Sequence, residues 1–294
     1  AIAVETFASK PTSVAWRPDG SALAVVAPLG KADPAAPRVI TRIDYKQDNR
    51  GVINDERNQV VIVWPERGET RTVSDTAWDH LAPAWSPDGR LIAVKQTRMN
   101  GFASQLLLLD DDGDEQARIG VDEGIVGTWA WSPDGSTILL DGSDVASPVT
   151  DYYRYHVASG ELVKITDDAG FSTVAGFPTI SGPDQPVWTD GHTALVHGVR
   201  AGASGIWEVD VQTGDYQPIV WWNATHAGFS ADASGQRIVQ ARSSLETSGE
   251  LALVDMAAGE TTRLTHLNDA LFAELPPARH EKITIDRDRW AIDA

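Results

Sequence analysis

The segment Pro83-Ala84-Trp85-Ser86-Pro87-Asp88-Gly89-Arg90-Leu91-Ile92-Ala93-Val94 constrains the fold more than any other stretch, because it recurs along the chain. An apolar run enters Trp85, a Pro-Asp-Gly turn reverses the backbone, and a second apolar run leaves. The pattern reads as two antiparallel strands, with Gly89 supplying the conformation that the turn requires. Trp16-Arg17-Pro18-Asp19-Gly20 and Trp131-Ser132-Pro133-Asp134-Gly135 are close copies. Trp188-Thr189-Asp190-Gly191 and Phe229-Ser230-Ala231-Asp232-Ala233-Ser234-Gly235 are looser ones.

Between these copies lies a second hairpin signal, in which an apolar strand reaches a small polar turn and a polar-alternating strand follows. Its turn glycines, at positions 68, 113, 160, 214 and 259, are spaced by 45, 47, 54 and 45 residues. Two hairpins make a four-stranded unit, and that period is blade spacing for a β-propeller. The fold class expected is therefore all-β, a propeller of four-stranded blades with five blades visible. Trp16, Trp85, Trp131 and Trp188 fall at homologous positions and read as packing between adjacent blades. Asp19, Asp88, Asp134 and Asp190 read as caps that bind backbone N–H groups of their own turns.

In the first visible blade, residues 28–58 interrupt the repeat with a polar insertion carrying Arg38, Arg42, Asp44, Tyr45, Lys46, Asp48, Asn49 and Arg50. It reads as a surface loop or protruding hairpin, or as a contact to a second domain, since loops on rigid scaffolds carry specificity. Residues 2–7 read as one strand without a hairpin partner of its own. After Thr265 the blade pattern stops. Residues 267–275 read as a short helical or irregular connector ended by Pro276-Pro277, and residues 281–294 alternate like two further strands. The expected division is a propeller over 1–266 and a connector leading into another domain over 267–294.

Composition narrows the chemistry. Of the 294 residues, 42% are apolar and 22% charged, as expected of a globular chain. A formal charge of −18 disfavours binding to a nucleic acid backbone. With no cysteine there is neither a disulfide framework nor a thiolate nucleophile or ligand. That fits the cytoplasm without excluding the periplasm. No apolar run is long enough to cross a membrane as a helix.

No Gly-x-Ser-x-Gly nucleophile elbow, His-Glu-x-x-His zinc pattern, phosphate loop or dinucleotide fingerprint occurs, so no catalytic, cofactor or metal residue is assigned. Seven histidines are scattered at 80, 156, 192, 197, 226, 266 and 280. His80 and His226 precede equivalent strands and so could meet at one rim of the propeller; ordinary hydrogen bonding is the simpler reading.

The Trp-Ser-Pro-Asp-Gly copies resemble the propeller repeats of TolB-like proteins and of the prolyl oligopeptidase family. The insertion from Arg38 to Tyr45 with Asp48 and Gly51, the exit Arg263-Leu264-Thr265-His266-Leu267-Asn268-Asp269, and the alternation from Glu281 to Asp293 tilt the resemblance toward acylaminoacyl-peptidase-like and dipeptidyl-peptidase-like members. That resemblance implies a seven-bladed ring, of which five blades are visible, and a following α/β-hydrolase domain as partner. It also implies a serine, histidine and aspartate in that following domain, none of which can be carried onto this sequence.

The propeller would then gate access for short peptides, with Arg38, Arg42, Tyr45 and Arg50 near the interface, and self-association would be a further option. This chain alone would be inactive. The alternatives are a TolB-like scaffold that binds a protein, and a self-contained five-bladed enzyme with its site in the central channel.

Overall fold

A computed structural model of the chain describes residues 10–30, 37, 40, 45–47, 51–52, 56–75, 77–98, 102–147, 149–167, 185–200, 203–221, 225–232, 234–244, 249–275, 281, 283–287 and 290–293. The expected strand at 2–7 lies outside them.

Five four-stranded antiparallel sheets follow one another along the chain as five blades of an all-β fold. Blade one comprises Ser13–Trp16, Leu23–Leu29, Arg57–Trp64 and Glu69–Thr72. Blade two comprises Asp79–Trp85, Ile92–Arg98, Ala103–Leu109 and Glu115–Ile119. Blade three comprises Ile125–Trp131, Thr137–Ser143, Asp151–His156 and Glu161–Lys164. Blade four comprises Val187–Trp188, Thr193–Arg200, Ala203–Asp210 and Tyr216–Trp221. Blade five comprises Thr225–Ala231, Arg237–Ser243, Glu250–Asp255 and Glu260–Arg263.

In blades two to four the middle of the second and third strands is apolar on both faces, because each of these sheets is covered by a blade on either side. Register assigns the faces. Ala24, Val26, Val60 and Ile62 of blade one pack against Trp85, Ile92, Val94, Leu107 and Leu109 of blade two. The opposite face of blade two, with Ala93, Leu106 and Leu108, packs on Ile138, Leu140 and Tyr155 of blade three. Leu139 and Tyr152 then meet Ala194, Val196, Trp207 and Val209, and Leu195, Ile206 and Val220 meet Ile238 and Val254. A fifth cluster, Val25, Val61 and Val63 with Leu23 and Leu29, belongs to blade one alone.

The blades are also tied by hydrogen bonds. The indole N–H of Trp85 donates to the Ala15 carbonyl at 3.2 Å, that of Trp131 to Ala84 at 3.2 Å, and that of Trp188 to Ala130 at 3.3 Å. In each case the acceptor is the residue just before the tryptophan of the preceding blade. Within the turns, Asp19 accepts from Ser21 N–H, Asp88 from Arg90 N–H, Asp134 from Ser136 N–H, and Asp190 from His192 and Thr193 N–H. Bonds from the Ser132 and Ser136 side chains and the Ser136 N–H hold the Asp134 carboxyl down at about 2.

Blade five departs from the sequence alignment. Its sequence copy puts Phe229 at the tryptophan position, but Ala231 pairs with Ile238 as Trp85 pairs with Ile92. The turn hydrogen bond Gly235 N–H to Asp232 carbonyl matches Gly89 to Ser86. The glycine fixes the turn, so the aspartate has moved within it. Asp232 accepts from the N–H groups of Gln236 and Arg237 and from the Ser234 hydroxyl, doing the work that Ser86 and Asp88 share in blade two.

The strand ladder of blade one runs out to the Leu29–Arg57 pair. Within the insertion, Lys46–Gln47 pairs with Gly51–Val52 as a minimal hairpin. Beyond blade five, Asp269–Glu274 is a short helix, and Thr284–Arg287 pairs with Trp290–Asp293.

Candidate functional site

In a four-stranded meander the first and third strands run opposite to the second and fourth. All Pro-Asp-Gly turns therefore lie at one rim. The insertion after Leu29, the crossovers between blades and the exit after Arg263 lie at the other. This second rim carries most of the irregular backbone and a concentration of buried polar groups.

Between blades one and two these groups form a continuous network. Gln96, which is fully buried, accepts at Oε1 from Arg98 Nη2 at 3.2 Å and from Arg118 Nη1 at 3.0 Å. Its amide nitrogen lies 3.4 Å from Asp75 Oδ2 and 3.3 Å from His80 Nε2. Two guanidinium groups on one oxygen fix the orientation of the amide, so His80 Nε2 accepts and the proton sits on Nδ1. Burial pushes the His80 pKa down and keeps the ring neutral.

Arg118 also reaches Gln105 Oε1 at 3.0 Å and forms a two-point pair with Glu115. On the blade-one side, Gln59 donates to the Trp78 carbonyl and accepts from the Ser74 hydroxyl. The network surfaces at Trp78, which is 37% exposed and carries the Arg98 guanidinium 5.2 Å from its ring centroid. Arg98 is also paired with Asp122 at 3.1 Å. An exposed aromatic ring with one guanidinium over it offers a stacking surface for a planar group.

The seam between blades four and five has an analogous position. His226 begins the first strand of blade five as His80 begins that of blade two. Register places His226, Gln240 and Arg242 on the face of blade five that meets blade four, opposite His197. His197 and Gln240 are buried, and their polar side-chain atoms have no hydrogen-bond partner among the described residues. The His226 backbone N–H donates to Ser204 Oγ at 2.7 Å. Burial, followed by the neighbouring His197 and Arg242, lowers the His226 pKa to about 4, and burial lowers that of His197.

A third polar cluster holds the exit. Glu250 is buried beside Arg242 and accepts from Arg263 at 2.8 Å, from the Thr265 hydroxyl and from the Asn268 N–H at 3.2 Å. The Thr265 bond first, with help from Arg263 and Asn268, draws its pKa down to about 2. Arg263 continues to Asp269, which also meets His266 Nδ1 at 2.9 Å. The helix is thus clamped to blade five, yet Leu271 within it and Leu267 and Leu275 flanking it are 52%, 74% and 60% exposed.

Of the residues singled out in the sequence, Arg38, Arg42 and Arg50 lie outside the described residues, and Tyr45 is exposed. His80, His197 and His226 are buried, whereas His156, His192 and His266 are exposed at turns; His280 lies outside the described residues. His80 and His226 occupy equivalent places in two different seams rather than one shared site. Among the described residues, no group of three or more His, Asp or Glu is placed to hold a metal ion, and no helix is long and apolar enough to cross a membrane. Trp78, Arg98, Arg118 and Glu250 carry no local sequence signal. Only their convergence in the fold marks them.

No family model matches the chain. A curated relative, the uncharacterized peptidase YuxL of Bacillus subtilis (strain 168), is 28% identical over 107 residues, which cover 33% of this chain and 15% of that protein. Among solved structures, Pyrococcus horikoshii acylaminoacyl peptidase superposes with a TM-score of 0.71 at 19% identity, over 97% of this chain and 43% of that one. A putative TolB from Agrobacterium tumefaciens superposes with a TM-score of 0.52 at 19% identity, over 89% of this chain and 83% of that one. The fold is an all-β propeller related to acylaminoacyl-peptidase and TolB-like propellers. The chain spans less than half the length of the peptidases it matches.

Proposed function

We propose that this chain is the substrate-gating propeller of a cytoplasmic serine peptidase or related acyl hydrolase acting on short or acylated peptides. Residues 1–266 form the propeller in this reading, and residues 267–294 lead into an α/β-hydrolase domain that supplies the nucleophile. The observation that carries it is the superposition of nearly the whole chain onto less than half of an acylaminoacyl peptidase. The clamped exit segment adds support, because its exposed Leu267, Leu271 and Leu275 suit a surface that another body covers.

The propeller's task would be steric and electrostatic. A rigid ring of blades excludes folded proteins, and the rim groups orient what enters. Trp78 and Arg98 offer a platform for a substrate terminus, with Arg38, Arg42, Tyr45 and Arg50 of the insertion completing the interface with the hydrolase domain. Proton transfer and nucleophilic attack would fall to residues outside this sequence.

The test is hydrolysis of acyl-aminoacyl and aminoacyl chromogenic substrates by this chain and by the full-length gene product. The expected result is turnover by the longer protein only. Turnover by the 294-residue chain would overturn the reading.

A second reading is a TolB-like scaffold that engages a protein partner. The coverage favours it at one point, since this chain matches 83% of a putative TolB rather than a fraction of it. A full-length gene product without a hydrolase domain, and with a partner that copurifies, would establish that reading in place of the first.

A further inference from the structure

The two rims differ in what they present to solvent. The turns of the Pro-Asp-Gly rim expose no large apolar side chain among the described residues. Apart from Val14 and Trp16 on the leading face of blade one and the segment after blade five, most exposed large apolar side chains lie at the crossover rim. In blades two and three they are Trp78 at 37%, Phe102 at 69%, Val121 at 46%, Val149 at 58% and Val145 at 61% exposure.

Contacts join these side chains into one strip. Arg98 lies over the Trp78 ring and pairs in register with Ala103, the neighbour of Phe102. The same guanidinium reaches Asp122, the neighbour of Val121. A Cβ at Gly124 would lie 2.8 Å from Val121 Cγ2 and 3.4 Å from Asp144 Cα. The strip therefore passes without a break from blade two onto Asp144 and Val145 of blade three.

Carboxylates punctuate the strip, and its own cations do not neutralise them. At this rim of blades two and three the described basic side chains are already engaged, Arg98 with Asp122, Arg118 with Glu115, and Lys164 with Asp151 and Asp167. Asp75, Glu123 and Asp144 are exposed and have no ion-pair partner among the described residues. Exposed apolar groups favour an occupant that buries them, and unpaired carboxylates favour one that brings positive charge.

We propose that this strip binds the incoming peptide and selects segments that combine aromatic or aliphatic side chains with lysine or arginine. The inference rests on the peptidase reading and names the substrate class for it. A second copy of this chain would set the same carboxylates against these, and a nucleic acid would set its phosphates there, so charge disfavours both. An aromatic side chain of the peptide stacks on Trp78, its aliphatic neighbours meet Phe102, Val121 and Val145, and its cations meet the three free carboxylates.

The test is fluorescence anisotropy of labelled peptides titrated with this chain. The peptides have equal length and alternate phenylalanine with lysine, phenylalanine with glutamate, or serine with lysine. The expected result is that the first binds at least about tenfold more tightly than either control, with its margin over the glutamate peptide shrinking as salt is added. Phe102→Ser with Val145→Ser should remove the margin over the serine peptide. Glu123→Lys with Asp144→Lys should remove the margin over the glutamate peptide. All four side chains are exposed, so both variants should keep the parent melting temperature.

Equal affinity for the three peptides, no binding, or a preference that survives both double substitutions would overturn the proposal. So would self-association of this chain that Phe102→Ser abolishes, since a second copy would then cover the strip. Binding is read without catalysis, which separates the two claims. A phenylalanine and lysine preference beside a full-length protein that hydrolyses nothing would fail the peptidase reading and leave a peptide-binding rim. Hydrolysis by the full-length protein without that preference would keep the peptidase reading and fail the strip.

Discussion

The indole N–H of Trp85 donates to the backbone carbonyl of Ala15 at 3.2 Å, while the Arg17 guanidinium lies 5.1 Å from the Trp85 ring. One side chain therefore joins two blades by a hydrogen bond, a cation–π contact and apolar packing.

These contributions separate by substitution. Trp85→Phe removes the N–H and keeps a ring, for a loss of about 1 kcal/mol. Trp85→Ala empties a buried site and should cost about 3–5 kcal/mol. Trp16→Ala in the isolated chain should change stability by less than about 0.5 kcal/mol, as for other exposed positions. Urea denaturation of the three variants checks the order.

The seam between blades four and five should be sensitive to mild acid. The His226 pKa falls from 6.5 to about 4 in the folded chain, so between those values the unfolded state binds more protons. Stability is fully present above pH 6.5 and is lost as pH falls toward 4, by up to roughly 3 kcal/mol for a shift of this size. His226→Phe should flatten the dependence of melting temperature on pH across that window. An unchanged slope would show that the imidazole does not titrate on unfolding.

The exit clamp should fail at lower pH. Glu250 has a folded pKa of about 2 against 4.5, so its contribution is complete above 4.5 and disappears as pH falls toward 2. Glu250→Gln removes the charge that Arg263 and the Asn268 N–H use. Faster amide exchange over residues 264–275 at neutral pH, with blades one to three unchanged, is the expected result.

Two turn glycines should respond differently to alanine. Gly68 has φ +65° and open space, so Gly68→Ala meets only the left-handed backbone penalty of about 1–2 kcal/mol. Gly214 has φ +80°, and a Cβ would lie 2.0 Å from the Ile165 carbonyl oxygen, so Gly214→Ala must also push blade three from blade four. A larger loss of melting temperature for the second variant checks this.

The blades were legible because their signals are local. A glycine turn between apolar runs specifies a hairpin from a dozen consecutive residues, and the repeat multiplies that signal five times. Blade five shows the limit: its motif letters align Phe229 with tryptophan, but the glycine conformation sets the register and brings Ala231 there. The rim network was not legible. Arg98 and Arg118 come from two different strands and meet on Gln96, and Trp78, from a crossover, lies against Arg98, so the cluster depends on how the strands and crossover come together. Glu250 reads in sequence as one more polar residue at the start of a strand. Only the path of the chain after Arg263 shows that it holds the exit.

The most direct test of the functional account is covalent labelling of the full-length gene product with a fluorophosphonate probe, followed by mapping of the modified serine. The account predicts one labelled serine, outside these 294 residues, and no labelling of this chain by itself. A labelled serine within this chain, or a full-length protein that no probe modifies, would contradict it.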